Sequence, residues 1–253
     1  SSNQLVGIPL PATTGFIQIQ SNLDATVQNT GVEFTLRTVN FSKRNFNWTS
    51  SFNLSISHNK LVSFPNLKSS TYKNTYRIGE PLNIQLLYHY MGVDPLTGIY
   101  QFTDENNDGQ LSSPDDRQTV IDLNPDYFGG FQNQLSFKNW KLDFLLQFVR
   151  QRNASNLLGL AGNMNNRPER LLNNWQESGD LAPYQQYTTG ANTAAVTAQS
   201  RYTASDATIV DASYIRLKNV AISYNLPSRL QGLQCSLTLQ AQNLLTFTSY
   251  EDG

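Results

Sequence analysis

Apolar and polar residues alternate one for one along six stretches of this chain, and the connections between the stretches are by turns short and long. The cleanest stretch covers residues 46–57. Phe46, Trp48, Phe52, Leu54 and Ile56 fall on one side of it, and Asn47, Thr49, Ser51, Asn53, Ser55 and Ser57 on the other. A period of two is what a strand with one apolar and one wet face requires. The same alternation runs through Val32, Phe34 and Leu36, through Phe131, Leu135 and Phe137, through Trp140 to Phe148, and through Leu237, Leu239 and Ala241. Along residues 209–226 the phase slips. Ile215 and Leu217 are apolar, then Val220, Ile222 and Tyr224, which predicts a bulge or a passage out of the apolar zone near Lys218-Asn219.

Ser42-Lys43-Arg44-Asn45, Lys138-Asn139 and residues 227–232 read as turns, the second of them a two-residue hairpin. Residues 59–126 and 151–206 are connections far longer than compact soluble domains use. Tight turns at one end and long loops at the other predict an all-β fold, an antiparallel meander forming part of a transmembrane β-barrel with long extracellular loops. Phe52, Leu54, Leu142, Phe144, Ile222 and Leu239 then face lipid, and Asn53, Ser55, Gln134, Asp143 and Gln240 face the lumen. Phe46, Trp48, Tyr127, Phe128, Trp140, Tyr224, Phe247 and Tyr250 cluster at strand ends and suit interfacial girdles. Six strands cannot close, because about eight make the smallest barrel. The alternation therefore predicts a piece of a larger barrel, with at least one strand following Gly253. The alternative reading is a secreted β-sandwich module that binds glycans through its aromatic residues. Membrane fractionation discriminates the two.

Composition changes this picture little. The chain has 253 residues and a net charge of -1, with no basic footprint for nucleic acid. Mean hydropathy is -0.42 and no apolar run is long enough for a transmembrane helix, which a barrel does not need. No signal peptide is evident at Ser1. The one cysteine, Cys235, lies among alternating residues and reads as a small apolar filler.

The sharpest chemical motif is Asp104-x-Asn106-x-Asp108-Gly109-Gln110, followed by Asp115. Side-chain oxygens at positions 1, 3 and 5, the Gln110 carbonyl at 7 and a carboxylate at 12 suit a structural Ca²⁺ in a free-standing loop. An Asx-rich turn with solvated carboxylates is the plainer reading. Catalysis has little support. His58 and His89 lie near no nucleophile motif, and no phosphate loop is present. His89, in Tyr88-His89-Tyr90, reads as packed in a loop or strand before it reads as a substrate contact. Arg216 and Lys218 are expected on the lumen side, for plug acids or for water.

Several segments taken together resemble the SusC/RagA-type TonB-dependent outer-membrane transporters of Bacteroidetes, in that family's order. They are residues 28–34 (QNTGVEF), 46–49 (FNWT), 78–82 (IGEPL), the Asp104–Asp108 loop with Asp116-Arg117, 124–131 (NPDYFGGF), 213–220 (SYIRLKNV), 224–227 (YNLP) and 242–248 (QNLLTFT). The resemblance implies that residues 1–253 form a C-terminal segment of a barrel of about 22 strands, with the plug and the final strand absent. It implies a place in the bacterial outer membrane, among membrane lipid, and no enzyme activity. The implied function is import of oligosaccharide or peptide. The implied partners are a SusD-like surface lipoprotein, TonB acting through a missing N-terminal region, and a second transporter–lipoprotein pair in a dimer.

Overall fold

The computed structural model describes residues 2–9, 18–155, 161–164, 166–227 and 235–250. In chain order its strands are β1 (Ser2–Pro9), β2 (Gln18–Lys43), β3 (Phe46–Ser63), β4 (Ile84–Leu87), β5 (Tyr90–Val93), β6 (Tyr100–Phe102), β7 (Thr119–Asp122), β8 (Tyr127–Phe137), β9 (Trp140–Arg150), β10 (Arg152–Ala154), β11 (Ile209–Asp211), β12 (Tyr214–Asn225) and β13 (Ser236–Thr248). One helix, α1 (Thr193–Tyr202), lies between β10 and β11. Seven strands make one antiparallel sheet in the order β1-β2-β3-β8-β9-β12-β13. That is a meander, interrupted only where the two long connections leave and return. The expected six strands are all present, and β1, which pairs with β2, is a seventh.

Register settles the two faces, because residues directly opposite on antiparallel neighbours point to the same side. Phe52 pairs with Leu36 and Phe131. Phe131 pairs with Leu146, and Leu135 with Leu142. Ile222 pairs with Leu142 and Leu239. One continuous apolar face runs across six strands. On the other face Asn53 lies opposite Thr35, Gln134 opposite Asp143, and Ala221 opposite both Asp143 and Gln240. The outward and lumen sets expected from the alternation therefore fall on opposite faces. Many outward residues are exposed, among them Phe34, Leu36, Trp140, Leu239 and Phe247. Hydrocarbon is the solvent that such a face needs.

Bulges keep this division intact. Lys218 is the extra residue where β12 meets β9, so Leu217 pairs with Leu146 and Asn219 with Leu145. The phase slip in the sequence is this bulge, which returns Ile215 and Leu217 to the apolar face. A second bulge, at Asn40, does the same for Phe41, which pairs with Trp48. Gly129 in β8 serves the apolar face differently. An added Cβ would lie 2.5 Å from the Phe148 ring. The bare backbone lets Phe148 of β9 stack on Phe52 of β3, with centroids 5.8 Å apart.

The sheet departs from expectation in a few places. The first turn is tighter than the four residues 42–45, since Lys43 pairs with Phe46 and leaves Arg44-Asn45 as the loop. Phe137 pairs with Trp140, so Lys138-Asn139 is the two-residue hairpin expected, with Lys138 at φ 52°. The turn expected over 227–232 lies mostly outside the described residues. Residues 209–226 are two strands instead of one, because β11 leaves the large sheet to pair with β10. Cys235 is exposed just ahead of β13, where its carbonyl accepts from the Leu226 N–H, so it fills no apolar gap. Phe128 belongs to the lumen face, since it pairs with Ser55, and so leaves the girdle. Tyr250 donates its hydroxyl to the Ala154 carbonyl in the loop region.

Candidate functional site

The two long connections fold against each other at the end of the sheet opposite its tight turns. Their contact has an aromatic core. Tyr88, Tyr100 and Phe102 of the first connection and Ala198 of α1 in the second are buried, with Tyr90, Leu111 and Tyr202 packed around them. Tyr100 stacks on Tyr202 with centroids 4.4 Å apart, and Tyr90 meets both rings edge-on. Burial pushes the hydroxyls of Tyr90, Tyr100 and Tyr202 above their ordinary range, which favours their neutral form.

Backbone bonds weld the same contact. The Tyr88 N–H donates to the Ala204 carbonyl at 3.0 Å, and the Asp206 N–H returns to the Tyr88 carbonyl at 3.0 Å. His89 Nδ1 lies 2.7 Å from Asp206 Oδ2, and the Tyr90 N–H donates to Asp206 Oδ1. His89 is an exposed loop residue, its side chain 54% accessible, so the expected packing is not found, and it ties the two connections together through Asp206. Trp175 makes a third tie. Its indole N–H donates to the Pro95 carbonyl, and its ring covers Gly98, where an added Cβ would lie 2.3 Å from the indole. Gly98 also has φ 67°, so only glycine meets both demands.

The first connection also packs against the sheet. Leu61 pairs with Val27 beyond the lipid-facing stretch, and by parity both point to the lumen side. Leu67, Tyr72, Tyr76 and Leu82 pack on Ala25, Val27, Leu61 and Phe64. The Gly79 N–H donates to the Leu61 carbonyl, the Leu61 N–H to the Glu80 carbonyl and the Leu82 N–H to Asn59 Oδ1. Residues 64–82 therefore line the inner side of the β2–β3 extension. Gly79, at φ 97°, makes the corner.

The acidic loop has its own order. The Gly109 N–H donates to Asp104 Oδ2 at 2.8 Å, the Asp108 N–H to Asn106 Oδ1 and the Gln110 N–H to Asp108 Oδ1. Asn106 Nδ2 donates to Asp108 Oδ2 at 3.0 Å. Asp104 Oδ1 is buried and has no hydrogen-bond partner. Asp104, Asn106, Asp108 and Gln110 share one turn, whereas Asp115 is exposed and engages only through its carbonyl, with Gln118. Among the described residues no three carboxylate, imidazole or thiol side chains converge as a metal site. The residue that faces inward is Asp116, which is fully buried. Its carboxylate accepts the Ser112 and Glu105 N–H groups, and these bonds hold its pKa below the usual carboxylate range. Neighbouring Arg117 donates Nε–H to the Leu86 carbonyl and lies near the Tyr88 ring. Spacing drew attention to Asp115. The adjacent Asp116 carries the structural role, and only the tertiary contact distinguishes the two.

On the lumen wall a cleft of about 440 Å³ is lined by Glu33, Thr35, Asn53, Ser55, Gln147 and Lys218, among others. Arg216 donates to Thr246 Oγ1 on the same face, with its guanidinium over the Tyr214 ring. Gln132 donates to Asp143. This wall offers both signs of charge, amides and hydroxyls, and no nucleophile with a base beside it. It can hold a polar molecule.

No protein-family model matches the chain. Among curated proteins it is 29% identical to TonB-dependent receptor P3 of Formosa agariphila, in an alignment covering 96% of this chain and 26% of that protein. TonB-dependent receptor P26 of the same organism is 27% identical, with 99% of this chain and 28% of that protein covered. The chain resembles the TonB-dependent receptors. It spans about a quarter of the length of these receptors. Among solved structures, the RagAB peptide transporter superposes with a TM-score of 0.73 at 24% identity, over 98% of this chain and 29% of that one. The RagAB peptide importer in its closed-closed state also gives 0.73, at 21% identity, over 99% and 29%. At these identities the solved structures establish the fold alone, which is part of a β-barrel, left open as a seven-stranded sheet among the described residues. The expected place in the outer membrane is borne out with it.

Proposed function

We propose that this chain is a barrel segment of a RagA- or SusC-like transporter that imports a nutrient across the outer membrane. The cargo is an oligosaccharide or a peptide, taken up with a SusD-like surface lipoprotein and powered through TonB. The observation that carries this reading is the combination of a lipid-compatible sheet with two long loops welded into one extracellular body. Ordered loops of this length usually carry function. A body with its own aromatic core offers a partner a fixed surface, and the likeness to the RagAB peptide transporter fits such a role. Transport involves no covalent chemistry here. The polar lumen wall holds the solute, and the loops meet the lipoprotein. Two such pairs side by side are compatible with this arrangement.

The test is deletion of residues 64–126 and 151–213 from the full-length protein, with barrel insertion verified separately. Growth on the cognate nutrient and co-purification of the lipoprotein are both expected to be lost. Growth and co-purification at the unaltered level would remove the loops from both roles.

We also propose that Ca²⁺ stiffens the acidic loop through Asp104, Asn106, Asp108 and the Gln110 carbonyl, with Asp115 as the distal carboxylate. The bond from Gly109 to Asp104 and the orphaned Asp104 Oδ1 support a ligand at this turn. Calcium would displace the Asn106–Asp108 hydrogen bond. Calcium is expected to slow proteolysis of the loop, and Asp108→Ala to abolish that protection. Cleavage at the same rate with calcium or chelator would end the proposal.

A further inference from the structure

The tight-turn end of the sheet carries a feature that import does not use. On the apolar face, where β2, β3 and β8 meet, four polar side chains form a hydrogen-bonded track. Thr38 Oγ1 donates to Asn40 Oδ1 at 2.8 Å, and Asn40 Nδ2 donates to Ser50 Oγ at 2.6 Å. Ser50 Oγ donates to Asn133 Oδ1 at 2.7 Å, and the Trp48 indole N–H donates to the same oxygen at 3.0 Å. Register places this track on the lipid side, since Ser50 lies opposite both Thr38 and Asn133. The bulge at Asn40 is what adds its amide to this side. Bare hydrocarbon solvates such a track poorly. Asn40 is exposed, and the bond to Ser50 uses one of its two amide N–H groups.

Nearer the turns, on the same side, lies a basic aromatic rim. Lys43 Nζ sits 5.3 Å from the centroid of the Phe41 ring, and Lys138 Nζ sits 5.3 Å from that of Phe137. Phe46 joins these rings, packing on Phe41 and pairing with Phe137. The Lys138 N–H donates to the Asn45 carbonyl, so the two turns, with Arg44 in the first, stand side by side. Residues 41–48 and 136–142 contain Lys43, Arg44, Lys138 and Lys141 and no acid. Deeper into the membrane than the track, Phe34, Leu36 and Phe52 continue the apolar face. From the turn to Ser50 is about 14 Å of strand.

Three levels are thus stacked along one line, with cations at the rim, amide and hydroxyl groups below, and apolar side chains beneath them. We propose that this surface binds an anionic phospholipid of the inner, periplasmic leaflet. Its phosphate pairs with Lys43, Arg44 and Lys138, its ester carbonyls accept from Asn40, and its acyl chains lie on Leu36 and Phe52. Charge complementarity selects this occupant: a second protein would have to bring acids to a level where this chain supplies only cations. The proposal rests on the outer-membrane reading, and the test keeps the two apart.

The full-length protein is reconstituted in nanodiscs of phosphatidylcholine, with or without phosphatidylglycerol, and bound lipids are counted by native mass spectrometry. Protease protection in vesicles reports separately whether the sheet is membrane-embedded. The unaltered protein is expected to retain phosphatidylglycerol over phosphatidylcholine. Because each cation near an anionic surface is worth roughly a five-fold effect, the combined variant K43Q/R44Q/K138Q is expected to cut that preference at least about ten-fold. Lys218→Gln, on β12 away from the rim, is expected to keep it. The inference fails if the triple variant remains folded and protected yet keeps the preference, or if the unaltered protein shows none. It fails equally if a photocrosslinking side chain at position 40 captures protein in place of lipid.

Discussion

Leu239 in the sheet is 75% exposed, whereas Tyr100 in the loop body is 6% exposed. Both belong to well-ordered hydrogen-bonded structure, but their apolar surface is hidden by different means. The sheet presents its apolar side chains outward and relies on lipid to cover them. The loop body has no such solvent and builds a core from two segments distant in sequence, as water-exposed proteins do. The sheet is therefore regular and tolerant along its lumen face. The loop body depends on a few irreplaceable contacts, namely Gly98 under Trp175, Asp116 under Ser112 and Glu105, and Asp206 between His89 and Tyr90. The same chain is thus held by its environment in one half and by tertiary contacts in the other.

The widest separation between the regions should come from a charge on the lipid face. Val220→Arg, opposite Phe144 and deeper in the apolar band, is expected to destabilise the membrane-inserted barrel by about 2–4 kcal/mol, while Ala221→Arg, one residue on and facing the lumen, changes it little. Equilibrium unfolding from lipid vesicles measures both, and equal costs would erase the distinction between the faces. Gly98→Ala should leave the barrel in place and loosen the loop body. The Trp175 clash and the positive φ together are expected to cost about 2 kcal/mol or more, seen as faster proteolysis within 161–200 with unchanged barrel unfolding.

Asp116→Ala uncaps two backbone N–H groups and is expected to cost the loop about 1–3 kcal/mol, with Asp115→Ala near neutral when the same proteolysis is run in chelator. The pH dependence has the matching sign. The Asp116 pKa is lowered in the folded loop, so its contribution is complete above the ordinary carboxyl value of about 3.9 and is lost progressively below it, as pH falls through the lowered folded value. Loop protection should therefore weaken below about pH 4 in the unaltered protein and respond less in Asp116→Ala. The smallest effect belongs to the turn. Lys138 holds φ 52°, and Lys138→Gly is expected to stabilise the hairpin by less than about 1 kcal/mol, read as a small rise in the unfolding midpoint.

The sheet was legible because its determinants are local. Alternation within a strand assigns each side chain to a face whatever the partner strand is, so Phe52 and Asn53, or Ile222 and Ser223, were separated before any pairing was known. Even the bulge at Lys218 left its mark as a break of phase. The loop body was not legible. Its short strands of three or four residues show too few alternations to read, and its helix is marked chiefly by the Asn192 cap, whose side chain accepts from Ala195.

The sequence by itself determined which residues meet lipid and which meet the lumen, because a two-residue period and a nonpolar solvent suffice to sort them. It also marked the acidic turn, whose spacing is a local property of the backbone. Only the tertiary structure decided that the two long connections form one body, that Asp116 and not Asp115 turns inward, and that Thr38, Asn40, Ser50 and Asn133 join into one track. Each of these depends on residues far apart in the chain, and their meeting is set by strand register and loop packing, which no single stretch of sequence contains.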